Sequence, residues 1–256
     1  PTDEEQNQKW WTFGRYADMD RKIRQSYWTS DFFVVYGDAS PEFDIENLEE
    51  GEEIFLSGTP FMKTTIYLVR HGAVHNPGQV IYGRMPGFPL SDEGRQQAHR
   101  LGTHLSTKNI AAIYASPLAR TRETAGIISS FHNNIAISFD ERLLEVHSPG
   151  LEGKPFADFA REEWNFYKPG YINTYGGERL GDIWRRMQAF LAETARKHKG
   201  QEIVAVSHGD PIMIVQTKHR GKRLAFREIR GAHYVGTAEG IQLIFDEFGE
   251  VEVTKV

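Results

Sequence analysis

The sequence predicts an α/β protein: a three-layer α/β/α sandwich on a mostly parallel central sheet, preceded by an aromatic-rich extension over residues 1–63. Three observations carry this expectation. Short apolar runs at residues 66–69, 112–115 and 203–206 each stop at polar or charged residues, as strands do on entering a loop. Stretches with apolar residues at helical spacing follow these runs, and alternation of strand and helix builds a parallel sheet covered on both faces. The chain has 256 residues, 39% of them hydrophobic, enough to bury one substantial core.

Residues 1–63 differ in composition from the rest. Trp10, Trp11 and Trp28 lie there with Phe13, Tyr16, Tyr27, Phe32 and Phe33, while residues 31–62 contain no lysine or arginine. Aromatics in such number can bury considerable area, and FFVVYG and EEIFLSG read as short strands around an acidic, turn-rich loop. The segment is either an extension packed on the flank of the main domain, or a lid or homodimer contact beside its site. Residues 64–256 form the main domain.

TTIYLVRHG (residues 64–72) reads as the strand on which that domain is organised. After it a Pro/Gly-rich loop leads to an amphipathic helix with Ala98, Leu101 and Leu105 on one face and Ser91 as its N-cap. His75 stands four residues after His71, but that spacing shares a face only on a helix, and this is a loop, so no metal pair is expected. Residues 111–115 give a second strand and 120–129 a second helix, with Arg122 and Glu123 facing solvent. Residues 135–139 read as a third strand, followed by a loop offering Glu141, Glu145 and Glu152 as carboxylates.

Residues 155–175 are rich in aromatics (Phe156, Phe159, Trp164, Phe166, Tyr167, Tyr171, Tyr175) and partly helical, either a substrate-selecting cap or side chains packing on the core. Residues 178–199 predict a long helix whose stripe of Ile183, Trp184, Met187, Phe190 and Leu191 is core. Residues 201–206 read as a buried strand, with Pro211 in the first turn of the next helix. Residues 233–237, 241–245 and 251–256 read as β structure, at least one of them in a hairpin at the sheet edge.

Arg70 and His71 follow the first strand, Arg120 the second, and His208 the strand at 201–206. Loops at the carboxyl edge of a parallel sheet bind ligands, so these four groups converge. Two arginines and two histidines in one crevice repel each other unless an anion lies among them, and a guanidinium fork matches phosphoryl oxygens.

The segments LVRHG, SPLARTRET, ERLLEVHSPGLEG and VSHGDP, in this order and spacing, resemble the histidine phosphatase superfamily, which contains cofactor-dependent phosphoglycerate mutase and many phosphomonoesterases. The resemblance covers roughly residues 64–253. It implies His71 as nucleophile, Arg70, Arg120 and His208 as holders of the phosphoryl group, and Glu145 as proton donor. It also makes Asn76, Tyr82, Gly83, Arg84 and Gly209 candidate substrate contacts. Mutases of the family commonly read RHGESxxN, whereas this chain has Ala73, Val74 and Pro77, with Asn76 one place early. The link from Gly153 to Glu178 is also short for a mutase.

The reading is therefore a metal-independent, cofactor-free phosphomonoesterase acting on a small phosphorylated metabolite. A phosphomutase is the second reading, and a scaffold that docks a phosphorylated partner the third. A net charge of −5 argues against general affinity for nucleic acid or anionic membranes. The absence of cysteine excludes disulfides and thiolate chemistry. Without a long apolar run or a leader pattern the expectation is a cytoplasmic protein, although a chain opening on Pro1 leaves room for a segment removed upstream.

Overall fold

The structure, a computed structural model, describes residues 63–160, 165–231, 233–246 and 251–255. The expected strands and aromatic cluster of residues 1–62, and Trp164, lie outside the described residues. Element order is β1 (Thr64–Arg70), α1 (Asp92–Leu105), β2 (Ile110–Ala115), α2 (Ala119–Ser130), β3 (Ile137–Phe139), a 3-10 turn (Glu141–Leu143), α3 (Phe156–Ala160), α4 (Pro169–Tyr175), α5 (Leu180–Lys197), β4 (Glu202–Ser207), α6 (Gly209–His219), α7 (Phe226–Ile229), β5 (Gly240–Phe245) and β6 (Val251–Lys255).

The strands form one mixed sheet in the order β3-β2-β4-β1-β5-β6. The first four run parallel; β5 is antiparallel to β1, and β6 pairs antiparallel with β5. The central strands are buried on both faces, and period-two alternation sorts their side chains between the layers. Ile66, Leu68, Ile203 and Ala205 pack with Ile183, Met187 and Phe190 of α5 and Ile212 and Val215 of α6. Tyr67, Val69, Val204 and Val206 face the other way, onto Leu101 and Leu105 of α1 and Ala125 and Ile128 of α2. This is the expected three-layer sandwich.

Local chemistry explains the element ends. Ser91 caps α1, its hydroxyl accepting from the Gly94 N–H at 3.0 Å. Gly72 and Gly94 allow α1 to start against the chain leaving β1: a Cβ on either would run into backbone at the other's end of the contact. The long helix starts at Leu180 rather than at residue 178, because Asp182 accepts the Arg179 N–H at 3.0 Å and fixes the first turn there.

Two expectations are corrected. Residues 233–237 are loop, not strand, because their backbone groups serve other partners: the Val235 carbonyl accepts from Arg70, and the Val235 N–H faces Met213 Sδ at 3.3 Å. Glu123 does not face solvent freely; it accepts the Leu90 N–H at 2.8 Å and Arg95 Nε at 2.6 Å, tying α2 to the loop before α1. Arg122 is exposed as expected and lies over the Phe139 ring. Among the described residues no helix is long and apolar enough to cross a membrane.

Candidate functional site

The parallel strands β1, β2 and β4 end side by side. His71 N–H donates to the Ser207 carbonyl at 3.1 Å, and Ser116 N–H to the Val206 carbonyl at 2.9 Å. Three chain turns therefore leave the sheet edge together, carrying Arg70–His71, Ser116–Arg120 and Ser207–His208.

His71 is 1% exposed. Its Nδ1 lies 2.7 Å from the Gly72 carbonyl, which can only accept, so Nδ1 carries the hydrogen and Nε2 keeps its lone pair. Burial, with the charges of Arg120 and then Arg70, holds its pKa well below the usual imidazole range, so the ring is neutral. Nε2 faces Arg120 Nε at 3.2 Å.

Arg120, in the first turn of α2, is 1% exposed. A guanidinium stays charged even there. It donates through Nη2 to the Gly83 carbonyl at 2.8 Å and lies 4.8 Å from the Tyr82 ring centre. Arg70 donates Nη1 to the Val235 carbonyl at 2.9 Å and stands 5.5 Å from the Tyr234 ring centre.

His208 is fully buried. Its Nε2 lies 2.8 Å from Ser116 Oγ, and its ring centre 5.1 Å from that of His71. Burial, then Arg120 and His71, push its pKa well down. Arg70 Nε and His208 Nδ1 are buried with no hydrogen-bond partner among the described residues, and such groups ordinarily have one.

Glu145 Oε2 is 4.0 Å from His208 Nδ1, and its Oε1 accepts the Val146 N–H at 2.9 Å. Burial, followed by the neighbouring Asp210 charge, raises its pKa against the lowering effect of Arg120. The residue is fixed through its backbone, its carbonyl accepting Arg84 Nε at 2.7 Å and Arg186 Nη2 at 3.4 Å. The other two carboxylates of this loop are elsewhere employed: Glu152 accepts the Arg84 N–H at 2.7 Å, and Glu141 is exposed in the 3-10 turn.

The secondary candidates divide. Tyr82 and Gly83 stand beside Arg120 as described, Tyr82 stacking on Phe88 at 5.3 Å. Gly209 opens α6, where a Cβ would strike the Tyr234 hydroxyl. Asn76 instead holds its own loop, exchanging both amide groups with the Val80 backbone. Arg84 points its guanidinium at Glu145 and at Glu178, 2.7 Å away. Both side chains brace these loops from within the protein.

Sequence reasoning passed over four residues. Ser116 follows the last residue of β2, level with Ser207 and Arg70 at the ends of β4 and β1, a signal available from the strand pattern. Asp210 follows His208 by two. Glu178 reads as a helix residue but accepts from Arg84, Arg186 and the His147 N–H. Tyr234 gave no signal, since its stretch reads as strand.

A crevice with two guanidinium groups, a neutral imidazole whose Nε2 lone pair meets Arg120 Nε and a raised carboxyl can hold a tetrahedral oxyanion and exchange a proton beside it. That describes an α/β protein equipped for phosphoryl chemistry. Residues 66–237 match the histidine phosphatase superfamily (branch 1), and the chain belongs to that family. It is 36% identical over 168 residues to an uncharacterized protein of Mycobacterium tuberculosis, covering 63% of this chain and 81% of the other. Phosphoserine phosphatase 1 of Hydrogenobacter thermophilus is 33% identical over 159 residues, covering 57% and 72%. Among solved structures, Bacillus stearothermophilus YhfR superposes with a TM-score of 0.66 at 28% identity, covering 75% of this chain and 95% of that one. Relatives include proteins named as phosphatases and as phosphoglycerate mutases.

Proposed function

We propose that this protein is a phosphomonoester hydrolase acting on a small phosphorylated metabolite through a phosphohistidine at His71. The observation that carries the reading is the Nδ1 hydrogen bond of His71 to the Gly72 carbonyl, which leaves Nε2 as a nucleophile beside Arg120.

Nε2 attacks phosphorus and the P–O bond to the leaving group breaks. The leaving alkoxide takes the Glu145 proton, completing the alcohol. Charge on the three equatorial oxygens falls to Arg70, Arg120 and His208, fixed before the reaction begins. Arg70 Nε supplies an unpaired donor, and His208 Nδ1 supplies another in the tautomer or charge state that carries a hydrogen there. No step requires a metal ion. The Glu145 carboxylate then takes a proton from water, the water oxygen attacks phosphorus and the P–N bond breaks. Phosphate leaves, with His71 neutral and Glu145 protonated as at the start.

The chemistry is confined to residues 64–256, and residues 1–63 are an accessory segment. Hydrolysis is favoured over transfer because a mutase must keep the phosphohistidine dry until the phosphoryl group returns. The segment between Gly153 and Glu178 is short, and Asn76 and Arg84, two polar groups near its mouth, are committed to the protein itself. The test supplies a phosphorylated three-carbon acid, with and without bisphosphate primer. Phosphate release outrunning isomer formation is expected; primer-dependent isomerisation outrunning phosphate release would establish the mutase.

A further inference from the structure

A guanidinium carries its donors on a long stem, and it serves a phosphoryl group well only where something fixes its direction. Arg70 meets two such constraints. Its Nη1 donates to the Val235 carbonyl at 2.9 Å, and its guanidinium carbon lies over the Tyr234 ring, 5.5 Å from the centre. Its Nε is buried without a partner among the described residues. Both constraints come from adjacent residues of a loop, not of a strand, so the aim of Arg70 depends on what holds that loop.

Asp210 holds it. The Tyr234 hydroxyl donates to Asp210 Oδ1 at 2.6 Å. Asp210 is 1% exposed, in the first turn of α6, and its other oxygen accepts Tyr167 Oη at 2.6 Å and Arg230 Nη2 at 2.8 Å. The carboxylate therefore offers the phenol an acceptor already fixed from two other segments. Gly209 lets the phenol come so close, since a Cβ there would strike its hydroxyl. A carboxylate needed only to start α6 would have met the helix N–H groups; this one is turned to a phenol that touches Arg70. Further along, the Ala238 N–H donates to the His71 carbonyl at 3.2 Å. The loop is thus tied at one end to α6 and at the other to the chain that carries Arg70 and His71.

We propose that Asp210 and Tyr234 are positioning residues for Arg70. The carboxylate fixes the phenol, and the phenol with the neighbouring Val235 carbonyl aims the guanidinium so that Nε stays available to a phosphoryl oxygen. Neither residue is assigned a contact with the phosphoryl group, and the inference rests on the proposed role of Arg70 in holding it.

Donors that stabilise a phosphoryl group act through direction as well as charge, and an error of about 1 Å in a reacting site can cost about a hundredfold. Releasing Tyr234 leaves Arg70 charged and present but free to swing. Residues that act through one group are non-additive with its removal. Once Arg70 is gone, Asp210 and Tyr234 have nothing left to aim.

The test measures kcat/KM on 4-nitrophenyl phosphate, whose leaving group needs no proton, so that the acid role of Glu145 does not enter. Asp210→Asn, Tyr234→Leu and Tyr234→Phe are each made in the wild-type chain and in Arg70→Ala. With Arg70 in place, Asp210→Asn and Tyr234→Leu each lower kcat/KM by about tenfold, and Tyr234→Phe, which keeps the ring, by about threefold. In Arg70→Ala the same substitutions cost less than about twofold.

If Asp210→Asn or Tyr234→Leu is poorly folded, Tyr234→Phe carries the comparison, because it keeps the volume and removes only the hydroxyl; its loss should again vanish in Arg70→Ala. Equal losses in the two backgrounds would show that Asp210 and Tyr234 serve the fold or another group, and would overturn the inference alone. If Arg70→Ala itself leaves kcat/KM unaltered, the role of Arg70 falls and the inference with it.

Discussion

Arg84 Nε donates to the Glu145 carbonyl at 2.7 Å while its Nη2 reaches Glu178 at the same distance. Glu178 also pairs with Arg186, whose Nη1 binds the Arg142 carbonyl at 2.6 Å. The loop that presents Glu145 is thus clamped from behind by an ion-pair network, partly buried and so less screened than a surface pair. On the proposed mechanism, Arg84→Met should leave attack by His71 in place and let the Glu145 carboxyl drift. Rates on alkyl phosphates should fall about tenfold more than on activated aryl phosphates, within the range for a misplaced general acid. Equal slowing of both would place Arg84 at the substrate instead.

Ser116 Oγ is the hydrogen-bond partner of His208 Nε2. Ser116→Ala leaves a buried ring nitrogen unpaired and frees the imidazole to turn. We expect kcat/KM to fall about tenfold, which corresponds to about 1.4 kcal/mol, and the melting temperature to fall by several degrees, since an unpaired buried nitrogen costs about 1–3 kcal/mol. An unaltered kcat/KM would mean that packing alone orients His208.

Gly72 lies against the Gly94 backbone at the start of α1. A methyl group there forces the helix away from the chain carrying His71. Gly72→Ala should destabilise the fold by about 1–3 kcal/mol, lowering the melting temperature about 2–4 °C for each kcal/mol. Calorimetry showing no change would contradict the packing described.

His71 and His208 both have folded-state pKa values depressed by burial and by arginine charge. The folded protein therefore binds fewer protons than the unfolded chain below the ordinary imidazole pKa of about 6.5. Stability from these two groups is present above that pH and declines as pH falls through and below it. Denaturant titrations of wild type and His208→Gln should show a weaker acid dependence in the variant between neutrality and mild acid. Parallel curves would refute the assignment.

Residues 64–256 carry every group invoked in catalysis. Removing residues 1–60 is expected to reduce solubility or stability, or to change substrate preference, while phosphohistidine still forms. A well-folded truncated protein unable to form it would show that the segment supplies a catalytic group.

The sheet was legible because its central apolar runs stop at polar residues, and the same strand ends bring Arg70–His71 and His208 to one edge, with Arg120 a turn into α2. Ser91 could be placed from its capping position. What was not legible depends on contacts between distant irregular segments. Glu178 looks like a helix residue because its run is helical from Leu180 onward; its role appears only when Arg84 and Arg186 arrive beside it. Tyr234 sits in an alternating stretch that reads as strand, but Arg70 takes the Val235 carbonyl and withdraws it from any ladder. Asn76 and Arg84 hydrogen-bond the Val80 backbone and the Glu145 carbonyl, contacts between irregular segments that leave no mark in the sequence.

The most direct measurement is a rapid-quench experiment with a radiolabelled phosphomonoester on wild type and His71→Ala. The wild-type protein should acquire an acid-labile, alkali-stable label on a peptide containing His71 within one turnover, before steady phosphate release, and the variant should acquire none. Full labelling of His71→Ala, or phosphate release at the wild-type rate without it, would contradict the central role of that nitrogen.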